Sequence, residues 1–375
     1  MAFGAMRAAW AGRGGRLAAA AACAAAAGGA PSPARAEPRP TPPVARKQPH
    51  EIVTHGDRRV DEFYWMRNDE RTEPEVLAHL DAENAYTAAV MKDTEPLQEQ
   101  LFSEMRGRIQ EADQTAPQLD GAFWYYSRTE EGQQYSVHCR RAARDPERVD
   151  VRTVMGEGDG NELVYLDENR EAEGEDFYRV GGLDVSPDHT MVAFAEDRTG
   201  GEKYTLRIRS MWDGADLETP VPDTSGNFVW ANDNVTLFYV KKDELDRPFQ
   251  VWKHALGTDP SKDELVFHER DDAFYVGLSK SRSDKAIFIS SGSAITSETH
   301  FLDADAPAAP PQCLVPRATG VEYDVYHRGD HFFYVYQASA CGRRAGRSGG
   351  LTKTTRTRSG RTRRSWWRPW PTRPP

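Results

Sequence analysis

Leu183-Asp184-Val185-Ser186-Pro187-Asp188, followed at once by the apolar run 191–195, is the stretch on which the fold turns. A strand, a polar turn holding Pro and Asp, and a second, wholly apolar strand form the pattern of two neighbours in a buried sheet. The unit recurs. Phe228-Val229-Trp230-Ala231-Asn232-Asp233 precedes 236–240, and Val276-Gly277-Leu278-Ser279-Lys280-Ser281 precedes 286–290. Val321-Glu322-Tyr323-Asp324-Val325 precedes 332–336. With Asp184, Phe228, Gly277 and Tyr323 as equivalents, the steps are 44, 49 and 46 residues. That is the period of a four-stranded propeller blade. Tyr204-Thr205-Leu206-Arg207-Ile208 and Phe249-Gln250-Val251-Trp252-Lys253 read as third strands of such blades. A β-sandwich with accidental spacing is the competing reading, and four spaced copies weigh against it.

Outward from this core, the period-2 pattern begins at Gly121 and runs to about Tyr336. Four blades fit, a fifth begins near Val321, and the apolar alternation stops after Gln337. Upstream the period is helical. Pro74 opens a segment with Val76, Leu77, Leu80 and Asn84 on one face. A second helix begins near Pro96, with Asp93 or Thr94 as cap and Leu97, Leu101, Met105 and Ile109 in line. The expected fold is therefore mainly β: a partial β-propeller of about four to five blades preceded by short N-terminal α-helices. The expected organisation is a signal peptide over 1–36, a linker over 37–54, a helical segment over 55–120, the incomplete propeller over 121–338 and a basic low-complexity tail over 339–375.

The two ends differ from the middle. Arg7, Arg13 and Arg16 precede a short apolar run, 17–27, and Ala34-Arg35-Ala36 offers a small-x-small cleavage site before Glu37. An exported protein, with a bacterial periplasm preferred, is the expectation. Lipid attachment at Cys23 is the lesser alternative, since Ala20 rather than Leu stands three residues before it. The chain holds 48 Lys and Arg against 58 Asp and Glu. Its last 35 residues, from Cys341, carry 11 Lys and Arg and no acidic residue. A charge reversal of this kind marks a boundary. The tail reads either as a basic, aromatic-bearing arm (Arg361, Arg363, Arg364, Trp366, Trp367, Arg368 and Trp370) or as out-of-frame translation after about Gln337. The second is preferred, because Arg, Gly, Pro, Thr, Ser and Trp are what a GC-rich frame yields by default. Neither a nucleic-acid partner nor a membrane span is expected. Cys139, Cys313 and Cys341 show no CxxC or metal-like spacing and read as incidental.

Several ordered strings resemble the prolyl oligopeptidase family, within it the oligopeptidase B type. Asp61-Glu62-Phe63-Tyr64-Trp65-Met66-Arg67-Asn68-Asp69 is similar to the family's opening motif. His79-Leu80-Asp81-Ala82-Glu83-Asn84-Ala85-Tyr86 resembles its first helix. The segment 104–113 resembles the lead into its propeller, and Tyr125-Tyr126-Ser127-Arg128, Leu166-Asp167-Glu168-Asn169, Val185-Ser186-Pro187-Asp188 and the string 321–330 match further family strings. The resemblance implies a seven-bladed propeller over an α/β-hydrolase domain that carries the catalytic Ser, Asp and His. It implies cleavage of short peptides after Arg or Lys, with the propeller restricting entry, and helices near the N-terminus packed on the hydrolase domain. The expectation is a propeller portion without that catalytic domain, inactive by itself. A free-standing binding module with a basic tail is the alternative.

Acyl transfer needs a Ser on a sharp strand-to-helix turn, a His to take its proton and an acid to orient the His. No G-x-S-x-G string occurs in the chain. In Gly346-Arg347-Ser348-Gly349-Gly350 a glycine follows the Ser directly and no His lies downstream. No catalytic, cofactor-binding or metal-ligating residue is therefore assigned, and no cofactor. His327 and His331 flank Arg328-Gly329-Asp330 and read as a solvated hairpin. Glu168, Glu171, Glu173, Glu175 and Asp176 read as a solvated acidic loop without EF-hand spacing. Gly156-Glu157-Gly158-Asp159-Gly160 lacks the Lys-Ser/Thr of a phosphate loop. Trp124, Tyr125 and Tyr126 read as packing residues.

Overall fold

The structure, a computed structural model, describes residues 40–143, 162–217, 220–338 and 349–354. The leader, the glycine-rich loop 156–160 and most of the basic tail lie outside these residues. The chain divides between Ile109 and Gln110 into two compact units.

The first unit opens with a hairpin of β1 (His50–Thr54) and β2 (Asp57–Asp61), in register from His50↔Asp61 to Thr54↔Asp57. The two turn residues, His55 and Gly56, take φ of 53° and 83°. Positive φ at both central positions is the turn that matches the twist of paired strands. Residues 50–54 thus belong to a strand and not to the linker. The sequence hid this because both strands are polar and exposed, so no apolar alternation marks them. Helix α1 (Pro74–Met91) starts with proline in its first turn, and Asn68 Oδ1 accepts the amides of Thr72 and Glu73 just ahead of it. Helix α2 (Glu95–Arg106) follows. Thr94 stands at its cap position, but its hydroxyl donates to the Met91 carbonyl and accepts from Gln98 Nε2. Ile109 lies beyond the helix end.

The second unit is built from consecutive antiparallel sheets. In the first blade β3 (Asp113–Gln114) and β4 (Gln118–Asp120) both pair with β5 (Phe123–Thr129), followed by β6 (Val137–Ala142) and β7 (Leu163–Asp167). The sheet therefore takes in residues ahead of Gly121, where alternation first becomes legible. The second blade holds β8 (Arg179–Val185), β9 (Met191–Asp197) and β10 (Tyr204–Ser210). β11 (Val221–Trp230) serves two blades. Its first half pairs with β10, its register breaks between Thr224 and Phe228, and its second half pairs with β12 (Thr236–Lys242). The third blade continues through β13 (Pro248–Ala255) and β14 (Glu264–His268). The fourth is β15 (Tyr275–Lys280), β16 (Ala286–Gly292), β17 (Ser297–Asp303) and β18 (Gln312–Val315). The fifth has β19 (Val321–Arg328), β20 (His331–Ala338) and β21 (Gly349–Thr354). The backbone of β21 pairs with β20 within the stretch read as tail.

Strand parity explains the stacking. Successive side chains of a strand point to opposite faces. In β12, Leu237 and Tyr239 join β9–β11 residues Ala193, Leu206 and Trp230, while Phe238 and Val240 join β15–β17 residues Val276, Ile287 and Leu302. In β16, Ile287 and Ile289 face the third blade, and Ala286 and Phe288 face Tyr323, Phe332 and Tyr334 of the fifth. A second strand that is apolar without alternation is one with a neighbouring sheet on each face. Leu237, Phe238, Tyr239 and Val240 are all 0% exposed. Each such side chain contributes roughly 1.5–3 kcal/mol by leaving water.

The turn between first and second strands repeats too. Gly121, His189, Asn234, Asp284 and Gly329 occupy it in the five blades with φ of 54°, 62°, 63°, 57° and 58°. Glycine, Asn and Asp tolerate this left-handed conformation best, so the repeat is one of backbone shape more than of residue type.

Candidate functional site

The first strands of neighbouring blades lie side by side, and β8 and β11 approach closely. A Cβ on Gly182 would stand 2.3 Å from the Gly226 carbonyl oxygen, and one on Gly181 would stand 2.3 Å from the Tyr204 ring. Gly226 has φ of 85°. These glycines let two backbones meet where any side chain would hold them apart. The register break in β11 opens a cavity of about 270 Å³ there, lined by Gly181, Gly182, Leu183, Asp184, Ser225, Gly226, Asn227 and Phe228.

Two polar residues of this lining have distinct tasks. Asn227 acts as a substitute strand toward the fourth blade: its Oδ1 accepts the Leu278 amide at 2.6 Å and its Nδ2 donates to the Leu278 carbonyl at 3.1 Å. Asp184 is half-buried and accepts the Val185 amide at 3.0 Å. Burial pushes its carboxyl up to about 6, against the opposing pull of the Val185 amide and of Lys280. Burial likewise lowers the Lys280 ammonium, while Asp284, Asp184 and Asp120 draw it back up. The recess thus offers a carboxyl that titrates close to neutrality, and the Lys280 ammonium acts on it electrostatically from outside the lining. Such a surface can hold peptide amides and charged ends; its one hydroxyl, that of Ser225, accepts the Asn227 amide at 3.3 Å.

Each blade junction is also tied at the repeated turn. Arg140 donates to the His189 carbonyl at 2.6 Å, and the Asp188 amide to Asn234 Oδ1 at 2.9 Å. Asn232 Nδ2 donates to the Asp284 carbonyl at 2.7 Å, and Ser283 Oγ meets His327 Nδ1 at 2.6 Å. His327 therefore has a structural partner, and His331 starts β20 just past the Gly329 turn. Trp124 and Tyr126 are buried in the first blade. Tyr125 hydroxyl meets His189 Nδ1 at 3.0 Å across the first junction.

Two constellations carry the residue types of a catalytic triad in structural surroundings. Ser127 Oγ lies 2.9 Å from His138 Nδ1, and His138 Nε2 lies 2.7 Å from Glu168 Oε1. Ser127 sits in mid-strand, directly opposite His138. Its amide donates to Thr115 Oγ1 and its carbonyl accepts the Thr115 amide. Without free amides beside the hydroxyl there is nothing to hold an oxyanion, and that term carries much of acyl transfer. The second constellation is Tyr239 hydroxyl, donating to Asp263 Oδ2 at 2.8 Å, with His254 Nδ1 2.7 Å from Asp263 Oδ1. The His254 and Asp263 side chains are 0% and 1% exposed, sealed from any substrate. They lock β12, β13 and the turn before β14 together.

The acidic stretch needs correction. Glu168–Glu171 is a one-turn helix, α3, capped by the Asp167 side chain accepting the Asn169 amide. Glu168 binds His138, Glu171 binds Arg209 and Arg198, and Glu175 binds Arg198. These carboxylates are partners of Arg209 in β10, of Arg198 just past β9 and of His138 in β6, which the sequence could not show because those partners lie 23–38 residues away. Among the described residues, one cluster has metal-ligand chemistry: Glu298, His300 and Cys313. Sequence spacing missed it, since it needs the β17–β18 register.

Comparison with known proteins follows the same outline. The profile of the family described as "Prolyl oligopeptidase, N-terminal beta-propeller domain" matches residues 42–344. The chain is 41% identical over 296 residues to dipeptidyl aminopeptidase BI of Pseudoxanthomonas mexicana, covering 78% of this chain and 41% of that protein. It is 36% identical over 300 residues to protease 2 of Moraxella lacunata, covering 80% and 42%. The chain thus spans about two-fifths of the length of the curated relatives it matches. Oligopeptidase B from Trypanosoma brucei, solved with covalently bound antipain, superposes with a TM-score of 0.73 at 32% identity, over 84% of this chain and 44% of that one. Oligopeptidase B from Leishmania major gives 0.72 at 28%, over 84% and 51%.

Proposed function

Because the chain belongs to the prolyl oligopeptidase family, we propose that it is the propeller portion of an exported serine peptidase of the oligopeptidase B type, which cleaves short peptides after Arg or Lys. The observation that carries this reading is the run of consecutive blades, collinear with the family strings and continuous with a helical N-terminal unit. In this reading the nucleophile, base and oxyanion donors come from an α/β-hydrolase domain outside these 375 residues. The propeller contributes a narrow, glycine-lined wall that admits extended peptides and excludes folded ones. Asp184 sets the charge of that wall, and Lys280 acts on it from outside the recess.

The 375-residue chain alone is then expected to be inactive. Purified chain incubated with an arginyl fluorogenic peptide and with an arginyl ester should give no turnover above buffer. Turnover abolished by a serine-reactive phosphonate would overturn the assignment of catalysis to another domain. The reading of the tail as out-of-frame is tested on the coding DNA: one of the two other frames downstream of Gln337 should continue the blades and reach a G-x-S-x-G. Export is tested separately by sequencing the N-terminus of the mature protein, which should begin at Glu37.

A further inference from the structure

Glu298, His300 and Cys313 meet by strand register. Glu298 and His300 are two apart on β17 and so share a face, and Cys313 of β18 pairs directly with His300. One carboxylate oxygen, one imidazole nitrogen and the Cys313 sulfur lie within 4.8 Å of one another. Glu298 Oε1 stands 3.9 Å from His300 Nε2. We propose that these three side chains form a binding site for a borderline-soft divalent cation of the Zn²⁺ class, completed by water, at the seam of the third and fourth blades.

The chemistry of the donors favours this ion. One thiolate, one imidazole and one carboxylate are the ligand types zinc takes, and three protein ligands with an open fourth position suit a partly exposed site. The His300 ring makes no hydrogen bond through Nδ1, which is buried. Glu298 is already fixed in place: the Arg317 amide donates to Oε2 at 2.8 Å, and Oε1 has only a 3.3 Å contact to the Arg317 guanidinium. A metal could take Oε1 and leave the shorter bond intact.

Charge also balances. Arg317 is held by Glu269, which accepts from Ser291 Oγ at 2.6 Å, and lies 4.0 Å over the Phe274 ring. Glu269, Glu298 and Cys313, once a metal displaces its thiol proton, carry three negative charges against the one positive charge of Arg317, so a divalent ion brings the cluster to neutrality. The His300 ring packs on Phe267 of the third blade, with centroids 4.9 Å apart. A bound ion would therefore pin β18, an outer strand with one neighbour, to β17, whose His300 packs on the third blade.

Co²⁺ is the probe for the full 375-residue chain. Titration should produce one equivalent of tetrahedral Co²⁺ absorption with a thiolate charge-transfer band, displaced by Zn²⁺. Cys313→Ser should abolish the charge-transfer band, and His300→Gln should weaken binding at least about 10-fold. A band that survives Cys313→Ser belongs to another cysteine and overturns the proposal. Alkylation of Cys313, followed by peptide mass mapping, gives a readout that does not depend on spectra. Zn²⁺ should slow it at least about 10-fold in the parent chain and not in His300→Gln. Equal alkylation rates with and without Zn²⁺ overturn the site.

Discussion

The seam between the third and fourth blades and helix α2 carry the same kinds of side chain and meet opposite ends. Phe238, Val240, Ile287, Ile289 and Leu302 pack to 1% exposure or less. Leu97, Leu101, Phe102 and Met105 on α2 are 45–59% exposed. Apolar residues on the seam find a second sheet of matching pleat one repeat along the chain, because a blade's neighbour is its own near-copy. A helix has no such partner supplied by repetition. Its apolar stripe is a statement of what it could bury, and only a surface from elsewhere can answer it. The propeller is thus held by contacts local in repeat space, and the first unit is not.

Breaking the seam should have the largest effect. Phe238→Ala removes a fully buried ring between two sheets and should cost about 3–5 kcal/mol, seen as a lower urea midpoint of the propeller. A loss under about 1 kcal/mol would mean that the blades do not stack as described. Asn227→Ala tests the polar side of the same junction. It leaves the Leu278 amide and carbonyl without partners, a cost of about 1–3 kcal/mol, while Asn227→Asp should keep only the bond that accepts the amide. Equal stability of the alanine variant would show that water satisfies both groups.

Much of the propeller was legible because its code is redundant. The steps between Asp184, Phe228, Gly277 and Tyr323 could be counted, and the unalternating apolar second strands announced burial on both faces. The structure places those four residues in β8, β11, β15 and β19, as the spacing requires. What could not be read depends on pairing across the chain. The partners of Glu168 and Glu171 include residues of β6 and β10 brought near by the sheets. The sharing of β11 between two blades depends on a register break at Ser225-Gly226-Asn227, where the sequence shows only turn-like residues inside a strand. The recess beside Asp184 follows from that break, so it was invisible for the same reason. The His50–Thr54 strand was missed because exposed polar strands carry no hydrophobic period.

The pH dependence of the wall sharpens the comparison further. The folded Asp184 carboxyl titrates near 6, above its value in an unfolded chain, so the folded state holds the proton more tightly. Stability contributed by this group is complete below about pH 4 and is lost as pH rises through about 6. Asp184→Asn should therefore stabilise the propeller at pH 8 by about 1–2 kcal/mol, allowing for solvent on its open side, and by almost nothing at pH 4. The variant and parent melting curves should converge as the pH falls. Convergence on raising the pH would reverse the assignment.

The smallest effect belongs to the helix. Leu101→Gln keeps helix propensity nearly constant and removes an apolar side chain that is already 45% exposed. With so little area to lose, the change in the stability of the purified chain should stay within about 0.5 kcal/mol. Phe102→Gln, at 56% exposure, should behave alike, apart from its small gain in helix propensity. A loss above about 1 kcal/mol at both positions would mean that α2 is covered in solution. A concentration-dependent melt would then assign the cover to a second copy of the chain, and a concentration-independent one to the chain itself. Either result would erase the contrast between seam and helix, because α2 would then be packed as the blades are.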